Sequence, residues 1–210
     1  MRTIIKAPSK MRFLTLFLLV CFSIGAAAQE VRDTAVAAFQ KHLNAEFRDP
    51  EKSPLPEKEL KSFKTLDFFP AAPQFTVEAE FVRTPNEVPF EMFTTTNRKP
   101  VYVKFGEVYF KLDGKEFKLN IYQSQDLSRK EEYKDYLFLP FTDLTNGETS
   151  YSGGRYLDMK IPESSKVVLD FNKAYNPYCA YSGEYSCPIV PQENHLEIAI
   201  TAGVKAYEKH

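Results

Sequence analysis

VYVKFGEVYFKLDGKEFKLNIY, residues Val101–Tyr122, is the stretch whose reading decides the fold class. Val101, Val103 and Phe105 alternate with Tyr102 and Lys104, and the runs Val108–Leu112 and Phe117–Tyr122 flank Asp113-Gly114. Alternation with a period of two marks a half-buried strand. An Asp-Gly pair between two such runs predicts a two-residue hairpin, because that turn needs positive φ at its central positions.

The same period extends outward from the hairpin. Phe75, Val77, Ala79 and Phe81 alternate with Thr76, Glu78 and Glu80, and Phe90–Phe93 reads as a further short strand. On the C-terminal side strands are predicted at Leu137–Phe141, Arg155–Met159, Lys166–Phe171 and His195–Ala202. Helical spacing is confined to the N-terminal part. Val31, Ala35, Phe39, Leu43 and Phe47 recur every four residues until Asp49-Pro50 stops them. A second short helix is expected from Pro56, with Leu60, Phe63 and Leu66 on one face. No strand–helix–strand rhythm is present. The expectation is therefore a mainly β domain, an antiparallel β-sandwich or barrel-like fold, with one or two N-terminal helices.

The start of the chain reads differently. Arg2, Lys6, Lys10 and Arg12 precede an apolar run from Phe13 to Ile24, and Ala26-Ala27-Ala28 follows. A positive n-region, a short apolar region and a small-residue cleavage site describe a signal peptide. The apolar run is too short for a membrane span, which needs about 20 residues. Residues 1–28 are thus expected to be removed after Ala28, leaving Gln29 first in a periplasmic or secreted protein. Residues 29–210 are expected to form one β-rich domain, with a helical segment at 30–66 and a β core at 74–205.

The chain has 27 basic and 28 acidic residues; the leader holds four of the basic ones and no acid, leaving the remainder at a net charge of −5. Mildly acidic chains lack the electrostatic footprint of nucleic-acid or anionic-membrane binders. No later segment is long and apolar enough to span a bilayer. The sequence contains no nucleophile elbow, zinc-protease helix or Gly-rich nucleotide loop, so no cofactor or resident metal is expected.

Polar and tyrosine residues concentrate between 141 and 194. The candidate ligand-binding residues are Asp143, Asn146, Tyr151, Arg155, Asp170, Asn172, Asn176, Tyr181, Glu193 and Asn194. Gly153-Gly154 precede Arg155 and permit close approach of a backbone or a ligand. The guanidinium can then grip a carboxylate or phosphate in bidentate fashion, or pair with Asp170 or Asp143 beneath a loop. On the first reading Arg155→Ala abolishes binding and leaves thermal stability nearly intact. Asp143, Asp158, Asp170 and Glu193 are the carboxylates available for acid/base work or for a cation, or for purely local turn bonds. Tyr175, Tyr178, Tyr181 and Tyr185 surround Asn176-Pro177, as in a sugar site or a well-packed loop. Cys179 and Cys187, the cysteines outside the leader, are expected to form a disulfide in an oxidising compartment, so that no free thiol is found without reductant. A metal pair completed by His195 is the alternative, and it lacks a fourth ligand.

The run Asp170–Cys179, with Cys187-Pro188 and Glu193-Asn194 after it and Tyr151–Tyr156 before it, resembles the signature of domain-of-unknown-function family 1684. The resemblance spans roughly residues 45–205 and implies membership without an assigned activity. Three functions stay open. A module binding an unidentified small polar ligand, a saccharide or a carboxylate, would bring side chains from separate segments to one open cavity. A hydrolase would add paired carboxylates or a bound metal there. A structural envelope protein would bury Arg155, Asp170 and Asn176 against one another.

Overall fold

In a computed structural model residues 34–208 are described. The proposed signal peptide, and Val31 at the start of the predicted helix, lie outside them. Helix α1, helical over 34–48, ends at Asp49, whose carboxylate accepts the Glu51 amide at 3.0 Å in a turn through Pro50. The predicted stripe is rotated slightly. Val36, Asn44 and Phe47 are buried, while Ala35 is exposed. Asn44 is inside because its Oδ1 accepts the backbone N–H of Leu66 at 2.8 Å. Helix α2 is a single turn, Glu57–Leu60.

The rest is mostly β. The strands are β1 Thr76–Arg83, β2 Phe90–Glu91, β3 Val101–Leu112, β4 Lys115–Ser124, β5 Tyr136–Asp143, β6 Arg155–Lys160, β7 Lys166–Asp170 and β8 His195–Leu196. They form a curled half-barrel in the order β6-β5-β4-β3-β1-β7, with β2 added to β3 and β8 to β5. Every pairing is antiparallel except β5–β8, which is parallel. The hairpin is where the Asp-Gly pair puts it: Leu112 pairs Lys115, and Asp113 and Gly114 have φ of 49° and 76°. Both φ values belong to the left-handed region, which suits the right-handed twist of the flanking strands.

One detail of β3 departs from simple alternation. Its register against β4 shifts between Lys104 and Gly106. A bulge moves subsequent side chains to the opposite face. Beyond it Val108, Phe110 and Leu112 point inward, but before it Tyr102 is buried and Val101 is exposed. The sheet consequently has two apolar faces. One face holds Val108, Leu119, Ile121, Leu137, Leu139 and Phe141. The other carries Tyr102, Tyr122, Phe138 and Tyr156 with Met92. A third cluster joins α1 to the C-terminal segment through Phe47, Leu66, Tyr181 and Val204.

Glu107 on β3 links local charge to acid stability. Its carboxylate accepts from the Tyr109 hydroxyl at 2.6 Å and from Lys118 and Lys104 at 3.2 and 3.3 Å. These contacts, the tyrosine bond first, hold its pKa at about 2 against an ordinary 4.5. A carboxylate with a depressed folded pKa stabilises fully above its unfolded pKa and loses that contribution as pH falls through the folded value. Acidification from about 4.5 to about 2 is therefore expected to remove this stabilisation. Urea melts across that window check it: Glu107→Gln flattens the dependence, and added salt shrinks the lysine share.

Candidate functional site

Arg155 and Asp143 form a wholly buried ion pair, Nη2 to Oδ2 at 2.7 Å. Arg155 begins β6 and Asp143 ends β5, and the pairing Phe141–Arg155 puts them side by side. The guanidinium also donates to the carbonyls of Ala202 and Ile200, the latter at 2.8 Å. Asp143 Oδ1 accepts from Thr145 N at 2.9 Å, Thr145 Oγ1 at 2.6 Å and Ile200 N at 3.1 Å. Burial pulls the Arg155 pKa down, and Asp143 opposes the pull. Gly154 has φ of 91°, and a Cβ there would stand 2.7 Å from the Phe141 carbonyl oxygen. The close approach that the glycines permit is thus to the chain's own backbone. Of the two readings of Arg155, the structure shows the pairing with Asp143, and the buried Nε has no hydrogen-bond partner among the described residues.

The asparagines act in the same way. Asn146 accepts the Asp143 amide at 2.6 Å and donates to the Tyr151 carbonyl at 2.7 Å. Asn172 clamps Ala72, accepting its N–H at 2.8 Å and donating to its carbonyl at 3.1 Å. Asn176 donates to the Lys205 carbonyl at 2.8 Å. Asn194 accepts the Asn120 amide at 2.8 Å and donates to the carbonyls of Asn120 and Pro140 at 2.9 and 2.6 Å. Such side chains satisfy backbone groups that no strand ladder reaches. Of these, Asn172, Asn176 and Asn194 are buried.

The remaining candidates scatter. Asp170 caps a short turn, accepting the Asn172 amide at 3.2 Å and lying 3.7 Å from Lys173. Tyr181 is buried against Phe47, with ring centroids 4.7 Å apart. Glu193 is exposed. Tyr151 lies beside Cys179, hydroxyl to sulfur 3.7 Å. Cys179 and Cys187 approach to 3.3 Å as free thiols, which corrects the expected disulfide. A bridge brings the sulfurs to about 2.05 Å; here Cys187 Sγ instead accepts the backbone N–H of Cys179 at 3.2 Å. His195 bonds Thr142 Oγ1 at 2.9 Å, and the described residues hold no metal-ligating group of three. Among them no helix is long and apolar enough to cross a membrane.

An open cavity of mixed lining, about 290 Å³, lies between the two edge strands of the half-barrel, β6 and β7. It is flanked by Phe39 of α1 and lined by Asp158, Asp170, Lys173 and Tyr175. Asp158 Oδ1 accepts hydroxyl donations from Tyr136 at 2.7 Å and Tyr175 at 2.6 Å. The residue is exposed overall, yet its carboxyl group is packed between these two phenols. Desolvation there pushes its pKa up, and the two hydroxyl donors oppose the rise. Burial pushes the pKa values of both phenols up as well, so both keep their donor hydrogens. A larger cavity, about 800 Å³, lies by Phe63, Asp67, Lys205 and Tyr207, but Lys205 is already paired with Asp67 and Tyr207 with Glu59.

Asp158 is one of the four carboxylates legible in the sequence, but its tyrosine partners are not. The available signal was the shared face: Tyr136 with Phe138 on β5, Tyr156 with Asp158 on β6, an acid in an otherwise aromatic row.

A solution NMR structure of an uncharacterised protein from Haloarcula marismortui is similar to this chain at 33% identity and a TM-score of 0.67, covering 88% of this chain and 99% of its own. Among curated proteins nothing matches the chain. The family model described as "Protein of unknown function (DUF1684)" matches residues 61–205. That span is more than half of the chain, and the chain belongs to the DUF1684 family.

Proposed function

We propose that this protein, acting as an exported module, binds a small hydroxyl- or amine-bearing ligand, a saccharide in the first place, in the slot between β6 and β7. The observation that carries this reading is Asp158. One carboxylate oxygen is held by two tyrosine hydroxyls, and no hydrogen bond from the described residues occupies the other. A positioned acceptor beside aromatic rings is a suitable partner for a donor-rich ligand. The slot holds two carboxylates, Asp158 and Asp170, and Lys173 lies within ion-pair reach of Asp170. That balance favours sugar hydroxyls or an ammonium over a carboxylate ligand.

The test is an NMR titration of wild type and Asp158→Asn with a panel of monosaccharides and small amines. The expected result is a set of shifts at residues 157–159 and 168–175 in wild type. A charge-assisted hydrogen bond contributes about 1.5–3 kcal/mol, so Asp158→Asn is expected to weaken binding about 10- to 100-fold. The amide oxygen still accepts from Tyr136 and Tyr175, so the melting temperature should hardly move. Equal binding by the variant, or no shifts in the slot with any of the panel, contradicts the proposal.

A further inference from the structure

The two thiols lie outside the slot, and their arrangement is unsymmetrical. Cys187 is buried; Cys179 is half-exposed in the short turn Tyr178–Ala180. The two approach to 3.3 Å, and Cys187 Sγ is held in place by the Cys179 backbone N–H at 3.2 Å. The Cys187 amide is in turn anchored on Thr95 Oγ1 at 3.1 Å, across the bridge that pairs Thr94 with Pro188. The Tyr151 hydroxyl, 3.7 Å from Cys179 Sγ, completes the surroundings of the outer sulfur. Arg98 donates to the Ser186 carbonyl at 2.8 Å and so holds a positive charge next to the pair.

We propose that Cys179 and Cys187 are a redox-active dithiol that reduces low-molecular-weight disulfides, with Cys179 attacking and Cys187 resolving. The Cys179 thiolate forms a bond to one sulfur of the external disulfide, and the other sulfur leaves as a thiolate. Cys187 then loses its proton to solvent and attacks Cys179 Sγ, which expels the second external thiolate. Both released thiolates take up protons. The protein dithiol loses two electrons to become a disulfide, and the external disulfide gains them to become two thiols. The electrostatics follow the same division of labour. Hydrogen bonding from Cys187, then Tyr151 and Thr95, outweighs the opposing effect of burial and pulls the Cys179 thiol down to about 6, which favours its thiolate form. The Cys187 thiol is pushed up, first by its bond to Cys179, and stays protonated until it is needed. Thiolate character and access together decide which cysteine reacts.

The experiment exposes reduced wild type, Cys179→Ser and Cys187→Ser to oxidised glutathione and follows intact mass. Wild type is expected to lose two protons and keep no adduct. Cys187→Ser should retain one glutathione on Cys179, and Cys179→Ser should react at least about ten-fold more slowly. Three results overturn the proposal. The first is a wild type that stays reduced with both thiols alkylatable. The second is Cys179→Ser reacting as fast as Cys187→Ser. The third is a wild type isolated with a bridge that glutathione cannot reduce, which makes the pair a fixed staple. The wild-type arms remain decisive if a variant fails to fold.

Discussion

Arg155→Met is expected to lower the unfolding free energy by about 3–5 kcal/mol, because removing one partner leaves the other charge buried and uncompensated. The carboxylate left behind is that of Asp143, which has no solvent contact. The carbonyls of Ile200 and Ala202 lose their donors in the same step. Methionine keeps apolar contact with Phe141 and Phe69, whose rings the guanidinium now faces, so the loss reports the polar network rather than packing. Adding Asp143→Leu should recover part of the deficit by removing the stranded charge. Recovery should stop short of wild type, because the amides of Thr145 and Ile200 then lack their acceptor. Urea titration of the single and double variants decides the matter. A single variant within about 1 kcal/mol of wild type would mean that water reaches the pair.

Asn194→Ala is expected to cost a similar amount, about 3–5 kcal/mol, since each buried backbone group left unsatisfied costs about 1–3 kcal/mol. Between β4 and β5 the regular register is limited to Tyr122–Phe138. Pro140, in the middle of β5, has no N–H to offer a neighbour. The Asn194 amide enters this gap and satisfies Asn120 N, Asn120 O and Pro140 O together. A proline inside a central strand is tolerated here because a side chain 54 residues further along the chain replaces the missing ladder. Asn194→Asp should not rescue, because a carboxylate cannot donate to the two carbonyls. Equal stabilities of wild type and Asn194→Ala in chemical denaturation would falsify the clamp.

These two cases show where sequence reading stops. The β3–β4 hairpin was legible because Asp113-Gly114 admits few other conformations and both flanks alternate. The segment after His195 alternates just as clearly, and Leu196, Ile200 and Ala202 are buried as the alternation requires. Yet β8 ends at Leu196. Beyond it the backbone of Ile200 and Ala202 bonds to Asp143 and Arg155 rather than to a neighbouring strand. Periodicity reports which side chains go inside; it does not report what satisfies the backbone. The polar signature was equally legible as a cluster and illegible as a role. Asp143 and Asp170 were equal partners for Arg155 on paper. The choice follows from the β5–β6 register, which sets Arg155 beside the end of β5. The slot at Asp158 depends on the curl that brings the two sheet edges together, a property of the whole sheet and of no single stretch.

The central claim is that the asparagines and aspartates of the signature hold the backbone together from inside. Native-state hydrogen exchange on the wild-type protein tests it most directly, read at the amides of Ala72, Asn120, Thr145 and Ile200, which the side chains of Asn172, Asn194 and Asp143 hold. Amides that open only with the whole molecule exchange with the free energy of global unfolding. The expected result is that these four fall in that slowest class, together with the core of β4 and β5. Exchange of these amides at the rates of exposed loops would contradict the claim and return the signature to the surface.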